Sequence, residues 1–266
     1  MNPERPSRAG DAFHYRWVAK RTLKLLDPNT NLRAVVLDGL EPDEGQVDGD
    51  SVVDATEISI INGIKNIVVS QLKHSTLRVD QEYTLSDFKG TFEGFSTLYK
   101  RALITGEIYS FQIVTNRPFS SGFRDSLKKI NLGETVSNQF VKTIETYTGL
   151  EGEDLKNFSK SISLIGKQGN YLDQQKDLAF AISDLVDRQI DSLEVNDYIQ
   201  FITDYVLPGK HKEITKVEVL RRLGVNDLED LFPAPSRIEP PKHLINRSCY
   251  GDLVTEIVNA NTPIVI

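Results

Sequence analysis

The chain has 266 residues, of which 39% are hydrophobic and 26% charged, as in an ordinary globular protein. Its net charge of −7 argues against a surface coated in basic residues for nucleic acid, although segregated charge leaves nucleic-acid chemistry open. A single cysteine, Cys249, and four histidines argue against a disulfide framework and against a zinc site. No apolar run reaches the ~18–20 residues that cross a bilayer, and the first residues are polar, without the apolar stretch that is typical of a signal peptide. We therefore expect a cytoplasmic protein that does not contact membranes, with oxygen ligands for any metal.

The first 125 residues alternate between predicted helices and strands. Good helix formers after Asp11 predict a helix over 11–27 that ends before Pro28. Strands are predicted over 32–39, 51–59, 66–74 and 108–116, and a helix capped by Thr84 and Asp87 over 84–104. Asn62 and Gly63 form a hairpin-turn signal between the second and third strands. This order predicts an α/β fold with a central mixed sheet flanked by helices.

After about residue 125 the pattern becomes helical. Helices are predicted over 136–146, 154–165, 174–190, 194–206 and 214–224. The last of them carries a Thr215/Glu218 capping box and ends at Gly224. Four of the 11 prolines lie in 231–241, which predicts an extended, semi-rigid linker. A helix over 250–258 and an apolar strand-like run over 261–266 follow.

Acidic residues are concentrated ahead of a lysine-bearing strand. No Lys or Arg occurs between Ala34 and Ile64, while basic residues flank that stretch on both sides. Within the third predicted strand, alternation puts Gln71 and Lys73 on one face, and Asp54 can lie opposite that face if the strands pair. Oxygen ligands suit a hard cation such as Mg²⁺, and a lysine beside it can stabilise charge on a phosphate. The alternative interpretation is a polar face of an edge strand.

The pattern strand–Asp–strand–(Glu/Gln)xLys resembles the PD-(D/E)xK, or restriction-endonuclease-like, superfamily. The more specific resemblance is to nuclease domains of bacterial anti-phage systems. These domains are effectors of CD-NTase (cyclic-oligonucleotide) systems or N-terminal effectors of antiviral STAND NTPases. The resemblance covers residues ~8–125 and rests on five segments: 8–26, 34–45, 52–58, 70–76 and 111–120.

The resemblance implies roles for individual positions. Asp54 matches the family's metal-binding aspartate, Gln71 its Glu/Gln ligand and Lys73 its catalytic lysine. Asp38 and Glu41 both lie where the family places an additional carboxylate, and the sequence leaves open which of them serves. The implied cofactor is Mg²⁺ or Mn²⁺. Because Gln71 replaces the commoner Glu and brings no charge, we expect lower metal affinity and a one-metal site.

Basic residues near these segments are candidates for contacts with DNA phosphate. Arg16 could pair with an active-site acid or a phosphate, and Arg117, Arg124 and Lys128 follow the fourth strand. The alternative is that these side chains are simply solvated. His74 should face away from Lys73 by strand alternation, so we assign it no general-base role.

The resemblance also implies a domain plan and partners. We expect a nuclease core over 1–130, a helical subdomain over 131–230, and over 231–266 the linker, helix and first strand of a P-loop ATPase domain that continues beyond Ile266. The implied function is metal-dependent cleavage of double-stranded DNA in anti-phage defence. Activation would come from homo-oligomerisation, as a tetramer, through a C-terminal sensor region triggered by a phage protein. The alternatives are the effector of a cyclic-oligonucleotide signalling system, or a catalytically inactive nucleic-acid- or partner-binding module.

Overall fold

The structure is a computed structural model that describes residues 4–40, 48–207 and 213–232. It begins with helix α1 (Glu4–Thr22), which a 3₁₀ turn over Leu23–Leu26 continues. The predicted N-cap at Asp11 is wrong, because the helix starts seven residues earlier. Pro6 lies in the first turn, where its missing N–H has no intrahelical partner to lose, so nothing before Asp11 prevents helix formation.

A mixed sheet with strand order β5-β4-β3-β2-β1-β6 runs through the described part of the chain. Its strands are β1 (Leu32–Leu37), β2 (Ala55–Ile61), β3 (Ile64–Lys73), β4 (Ile108–Thr115), β5 (Ile162–Ile165) and β6 (Glu213–Thr215). β2 pairs antiparallel with β1 and β3, and β6 pairs antiparallel with β1, whereas β4 is parallel to β3 and β5. The predicted α/β fold with a central mixed sheet is confirmed.

The β2–β3 hairpin sets the register that matters for the site. Ile61 pairs with Ile64 across a two-residue loop, in which Asn62 and Gly63 have φ angles of 52° and 78°. Positive φ at both loop positions is the geometry that Asn-Gly favours and that matches the twist of antiparallel strands. The predicted hairpin is therefore confirmed, and no extra residue shifts the pairing between the turn and Ala55.

Helices cover both faces of the sheet. They are α2 (Lys89–Thr105), α3 (Ser121–Leu132), α4 (Asn138–Thr148), α5 (Gly152–Lys160), α6 (Tyr171–Leu185), α7 (Ser192–Asp204), α8 (Lys216–Leu223) and α9 (Leu228–Leu231). On one face, α2 to α5 bury an aromatic cluster that includes Phe92, Phe95, Phe111, Phe123 and Phe158. On the other face, α1, α6, α7 and α8 bury a cluster that includes Phe13, Trp17, Leu178, Tyr198 and Val219.

The second half of the chain differs from the sequence prediction. The predicted helix over 154–165 ends at Lys160, and its last four residues form β5, which pairs with β4. Helix α3 and strand β6 were not predicted. Residues Met1–Leu231 form one compact unit, in which the segment expected to be a helical subdomain supplies both edge strands. The predicted helix over 250–258 and strand over 261–266 lie outside the described residues.

Candidate active site

The antiparallel pairing of β2 and β3 places Asp54 opposite Gln71. Ala55 pairs with Ser70, and the Asp54 N–H donates to the Ser70 carbonyl at 3.0 Å. The Asp54 carboxylate then accepts two hydrogen bonds, from the Leu72 backbone N–H and from the Gln71 side-chain amide, each 2.5 Å long. The carboxylate is therefore held in a fixed orientation at the point where β3 approaches its end.

Gln71 is buried, with 7% of its surface exposed, and is bonded on both sides. Its amide nitrogen faces Asp54, while its carbonyl oxygen accepts from the Thr91 hydroxyl of α2 at 3.4 Å. The Thr91 bond is long and therefore weak. For the Gln71 oxygen to face the same point as the Asp54 carboxylate, the amide must turn over by rotation about its last side-chain bond.

Lys73 is the last residue of β3 and lies on the same face of that strand as Gln71. Its side chain is half-buried. Within the described ranges, the Lys73 ammonium makes no hydrogen bond and no ion pair. A cation in this position is available to an anionic ligand that reaches the end of β3.

Of the two candidates for an additional carboxylate, Asp38 lies among the described residues and Glu41 does not. The Asp38 N–H donates to the Asp54 carbonyl at 3.1 Å, so Asp38 follows β1 directly beside Asp54, and its side chain is exposed. Burial first, and then the negative charge of Asp38, raise the pKa of Tyr15 on α1. Glu41 lies outside the described residues, so the choice between Asp38 and Glu41 stays open.

His14 is a neighbour of Asp54 that the sequence did not assign to the site. Its Nδ1 atom lies 3.9 Å from Asp54 Oδ1, on the side of the carboxylate away from the Leu72 hydrogen bond. Residues of helix α1 pack in the same core cluster as Leu72 of β3, and this packing brings His14 to the site. A His in an amphipathic helix carries no local signal of such a contact, so sequence periodicity could not identify it.

His74 faces away from Lys73, as strand alternation predicts. Its ring contacts Phe13 and Tyr171, with ring centroids 5.1 and 6.1 Å apart. Both ring nitrogens are buried and have no hydrogen-bond partner among the described residues. Burial, and to a lesser extent the nearby His14, lower the pKa of His74. His74 is therefore a packing residue between the middle of α1 and the start of α6.

The donor atoms at Asp54 suit a hard divalent cation held by few protein ligands. Among the residues that the structure describes, no group of three or more His, Cys, Asp or Glu side chains could hold a metal. Mg²⁺ is commonly bound through one or two carboxylates together with substrate phosphate and water, and it prefers oxygen. The Asp54 carboxylate and the Gln71 carbonyl fit such an ion once the amide has turned over, whereas they would not fit a thiolate- or imidazole-seeking metal.

Two of the four predicted phosphate contacts are occupied by other partners. Arg16 donates to the Gln175 side-chain oxygen at 3.1 and 3.3 Å and to the Ala12 carbonyl at 3.0 Å. Burial lowers the pKa of Arg16. Arg117 is 8% exposed, donates to two backbone carbonyls at 2.6 and 3.1 Å and lies 3.7 Å from the Tyr83 ring centre. Both guanidinium groups hold loops and helices together, and this structure does not present either of them to a ligand.

The other two predicted contacts remain available. Arg124 and Lys128 are exposed and lie one turn apart on α3, so they project from the same side of that helix. Neither makes a side-chain hydrogen bond or ion pair with any residue in the described parts of the chain.

None of the described helices is both long and apolar enough to cross a membrane.

Comparison with known proteins gives a likeness of fold only. No family model and no curated protein matches the chain. Among solved structures, a Cap4 SAVED/CARF-domain containing receptor of Acinetobacter baumannii is 11% identical with a TM-score of 0.49, over 80% of this chain and 46% of the receptor. The same receptor with the cyclic trinucleotide 3′3′3′-cAAA gives 12% identity and a TM-score of 0.47, over 80% and 45%.

The corresponding receptor of Moraxella osloensis is 13% identical, with a TM-score of 0.48, over 86% of this chain and 50% of the receptor. The chain thus spans about half the length of the solved structures that it resembles. Likeness at these identities and TM-scores says nothing about which ligand or substrate this chain binds.

Proposed function

We propose that the chain hydrolyses phosphodiester bonds of double-stranded DNA with the help of Mg²⁺ or Mn²⁺. One observation carries the proposal: the β2–β3 register sets Asp54 opposite Gln71 and leaves Lys73, on the same face, as a cation without a partner in the described residues. An oxygen donor pair next to a half-buried, unpaired ammonium is what hydrolysis of a phosphodiester needs.

The side chains would divide the work as follows. A cation at the site would lower the pKa of a water molecule and neutralise charge on the phosphate. Lys73 would stabilise the negative charge that develops on the phosphate, and its half-buried position strengthens that interaction relative to bulk water. The Leu72 N–H donates to one oxygen of the Asp54 carboxylate, and His14 lies beside the other oxygen. The carboxylate is therefore already oriented and would need little reorganisation to bind a cation.

We further propose that the activity serves anti-phage defence and requires assembly into a homo-oligomer. A chain with a net charge of −7 is poorly steered to DNA, so a monomer should bind the phosphate backbone weakly. Cleavage of both strands also needs two active sites, and assembly brings the second site to the duplex at high effective concentration. A tetramer formed through a region beyond the described residues, with a phage protein as the trigger, would meet both needs.

The alternative setting is a cyclic-oligonucleotide signalling system, with the same active site and a different activator. One of the Cap4 receptor structures compared above was solved with the cyclic trinucleotide 3′3′3′-cAAA. In that setting a cyclic trinucleotide is one activator to test. The remaining alternative is a catalytically inactive module of the same fold, which would bind DNA or a partner without cleaving.

Cleavage of supercoiled plasmid tests the proposal. The chain, fused to a tetrameric coiled coil, should nick and linearise plasmid with Mg²⁺ or Mn²⁺, and excess EDTA should abolish the reaction. Lys73→Ala should lower the rate about 10²–10³-fold, because it removes a preorganised charge at the phosphate. Lys142→Ala, which removes an exposed cation on α4, is the matched control and should cleave like the parent.

Each other outcome has a definite meaning. Cleavage that persists in excess EDTA, or Lys73→Ala cleavage at the parental rate, contradicts the proposal. Activation of the unfused chain by added 3′3′3′-cAAA would support the cyclic-oligonucleotide setting. Metal-independent DNA binding without cleavage in every arm would identify the inactive module.

A further inference from the structure

A cleft of about 410 Å³ lies between the ends of β4 and β5 and the start of α3. We call it the strand-end cleft. Its apolar floor includes Phe119, Leu164 and Ile165, and its charged side chains are Arg124, Lys167 and Glu82. The cleft therefore combines an apolar floor with a small excess of positive charge.

Lys167 is held in place by the backbone on both sides. It has a φ angle of 57°, its N–H donates to the Arg117 carbonyl at 3.1 Å, and the N–H of Gln168 donates to the Thr115 carbonyl at 3.0 Å. At Gly166 a Cβ atom would come within 3.0 Å of the Phe119 ring, so the turn packs directly on the cleft floor. Lys167 is thus a lysine on a fixed turn rather than on a solvated loop.

The two cations of the cleft have no competing partner. Arg124 and Lys167 are exposed, and the described residues provide neither of them with a side-chain hydrogen bond or an ion pair. Glu82 is the one acidic side chain among the described residues that line the cleft, so the two cations leave a formal charge of +1 there. Two unpaired cations beside an apolar floor match a nucleotide, which joins a phosphate to a flat base and a sugar.

The strand-end cleft lies at the same end of the sheet as Lys73, across the neighbouring strand β4. Parallel pairing sets Lys73 opposite Thr115, and the Thr115 carbonyl binds the Gln168 N–H next to Lys167. From β3 to β5 is two strand spacings, or about 10 Å. Successive phosphates of one DNA strand lie farther apart in space than the ~3.4 Å rise along the helix axis, because the backbone winds around that axis, so this separation corresponds to about one to two nucleotides.

We infer that the strand-end cleft binds the backbone of the DNA strand about one to two nucleotides from the phosphate that meets Lys73. Lys167 and Arg124 contact one phosphate, and the apolar floor receives the adjoining sugar or base. This inference rests on the proposed function, since it assigns the subsite that positions the same substrate. It adds Lys167, which the sequence did not single out, to the contacts with DNA.

The salt dependence of duplex binding tests the inference. Binding of the 266-residue chain to a short fluorescent duplex is followed by polarisation in EDTA, where cleavage is off, between about 50 and 200 mM salt. The double variant Arg124→Ala/Lys167→Ala should reduce the magnitude of the slope of log K against log salt by about 0.9, because both cations contact the same phosphate and one neutralised phosphate contributes about 0.9. Lys142→Ala/Lys176→Ala removes two exposed cations outside the cleft and should bind with the parental slope.

A second readout separates the cleft from the chemistry. Cleavage by the coiled-coil fusion should show a raised KM and a nearly unchanged kcat in the cleft variant, whereas Lys73→Ala lowers kcat. Lys167→Arg in an otherwise parental chain keeps the positive charge and should bind the duplex with the parental slope. Equal slopes for the cleft and control variants overturn the inference, as does a parent that binds no duplex. A loss of slope in a chain that does not cleave retains the cleft and overturns only the proposed catalysis.

Discussion

The ion pair between Arg21 on α1 and Glu57 on β2 should be asymmetric in what each partner contributes to stability. Arg21 donates two hydrogen bonds to the Glu57 carboxylate, at 2.5 and 2.8 Å. The Glu57 side chain is 9% exposed, while that of Arg21 is 22% exposed and lies 5.3 Å from the Trp17 ring centre. Only one of the two charges can therefore reach water when its partner is removed.

Arg21→Met leaves a buried carboxylate in the middle of β2, and we expect a loss of about 3–5 kcal/mol in the free energy of unfolding. Glu57→Gln leaves a guanidinium that water reaches and that keeps one hydrogen bond to the new amide, so its cost should be about 1–2 kcal/mol. The double variant Arg21→Met/Glu57→Gln removes both charges and nearly keeps the volume of both side chains. Its free energy of unfolding should lie within about 1–2 kcal/mol of the parental value, so the double variant should lose much less stability than the sum of the two single losses.

Urea denaturation followed by circular dichroism measures all four proteins of this cycle. The expected ranking of stability places the double variant above Arg21→Met, which is the least stable of the four. Equal losses for the two single variants would refute the reasoning from burial. A double variant as unstable as the sum of the single losses would show that the geometry of the pair, rather than the unpaired buried charge, controls the effect.

Two further predictions concern residues next to the site. Because burial lowers the pKa of His74 from its ordinary value of 6.5, the folded state takes up its proton later than the unfolded chain as pH falls. The contribution of neutral, buried His74 to the free energy of unfolding should be fully present above about pH 7 and decline as pH falls through 6.5. Urea titrations at about pH 7.5 and 5.5 should show a smaller difference in stability for His74→Phe than for the parent. An equal difference in the two proteins would exclude His74 as the group responsible. In α2, a Cβ at Gly94 would collide with the Val52 side chain, whereas Gly90 has open space. Gly94→Ala should therefore destabilise the fold by about 1–3 kcal/mol despite its better helix propensity, and Gly90→Ala should stabilise it by up to about 1 kcal/mol; the same sign for both thermal shifts would contradict the packing argument.

The sequence predicted the first half of the fold well because its signals there are local. The Asn62-Gly63 turn, the Thr84/Asp87 capping box and the period-2 strands each act within a few residues. The turn fixes the register, and the register alone sets Asp54 opposite Gln71 with Lys73 on the same face. The pairing of the two strands could therefore be deduced before any tertiary contact was known.

The second half depended on contacts that lie far apart in the chain. Ile162–Ile165 is too short to show a period, and it becomes a strand only because the edge of β4 offers hydrogen-bond partners. Arg117 carried the pattern of a phosphate contact, yet carbonyls and the Tyr83 ring some 35 residues away in sequence bury it. Charge on a loop does not reveal whether folding will supply an internal partner.

The sequence by itself determined which side chains could carry chemistry, since residue type and strand alternation select Asp54, Gln71 and Lys73. Only the tertiary structure decided their surroundings. The packing of α1 on the sheet brings His14 to Asp54, and the turn after β5 aligns Lys167 with the end of β3. The physical reason is that local patterns specify the direction in which a side chain leaves the backbone, whereas its neighbours across the sheet depend on how distant segments pack.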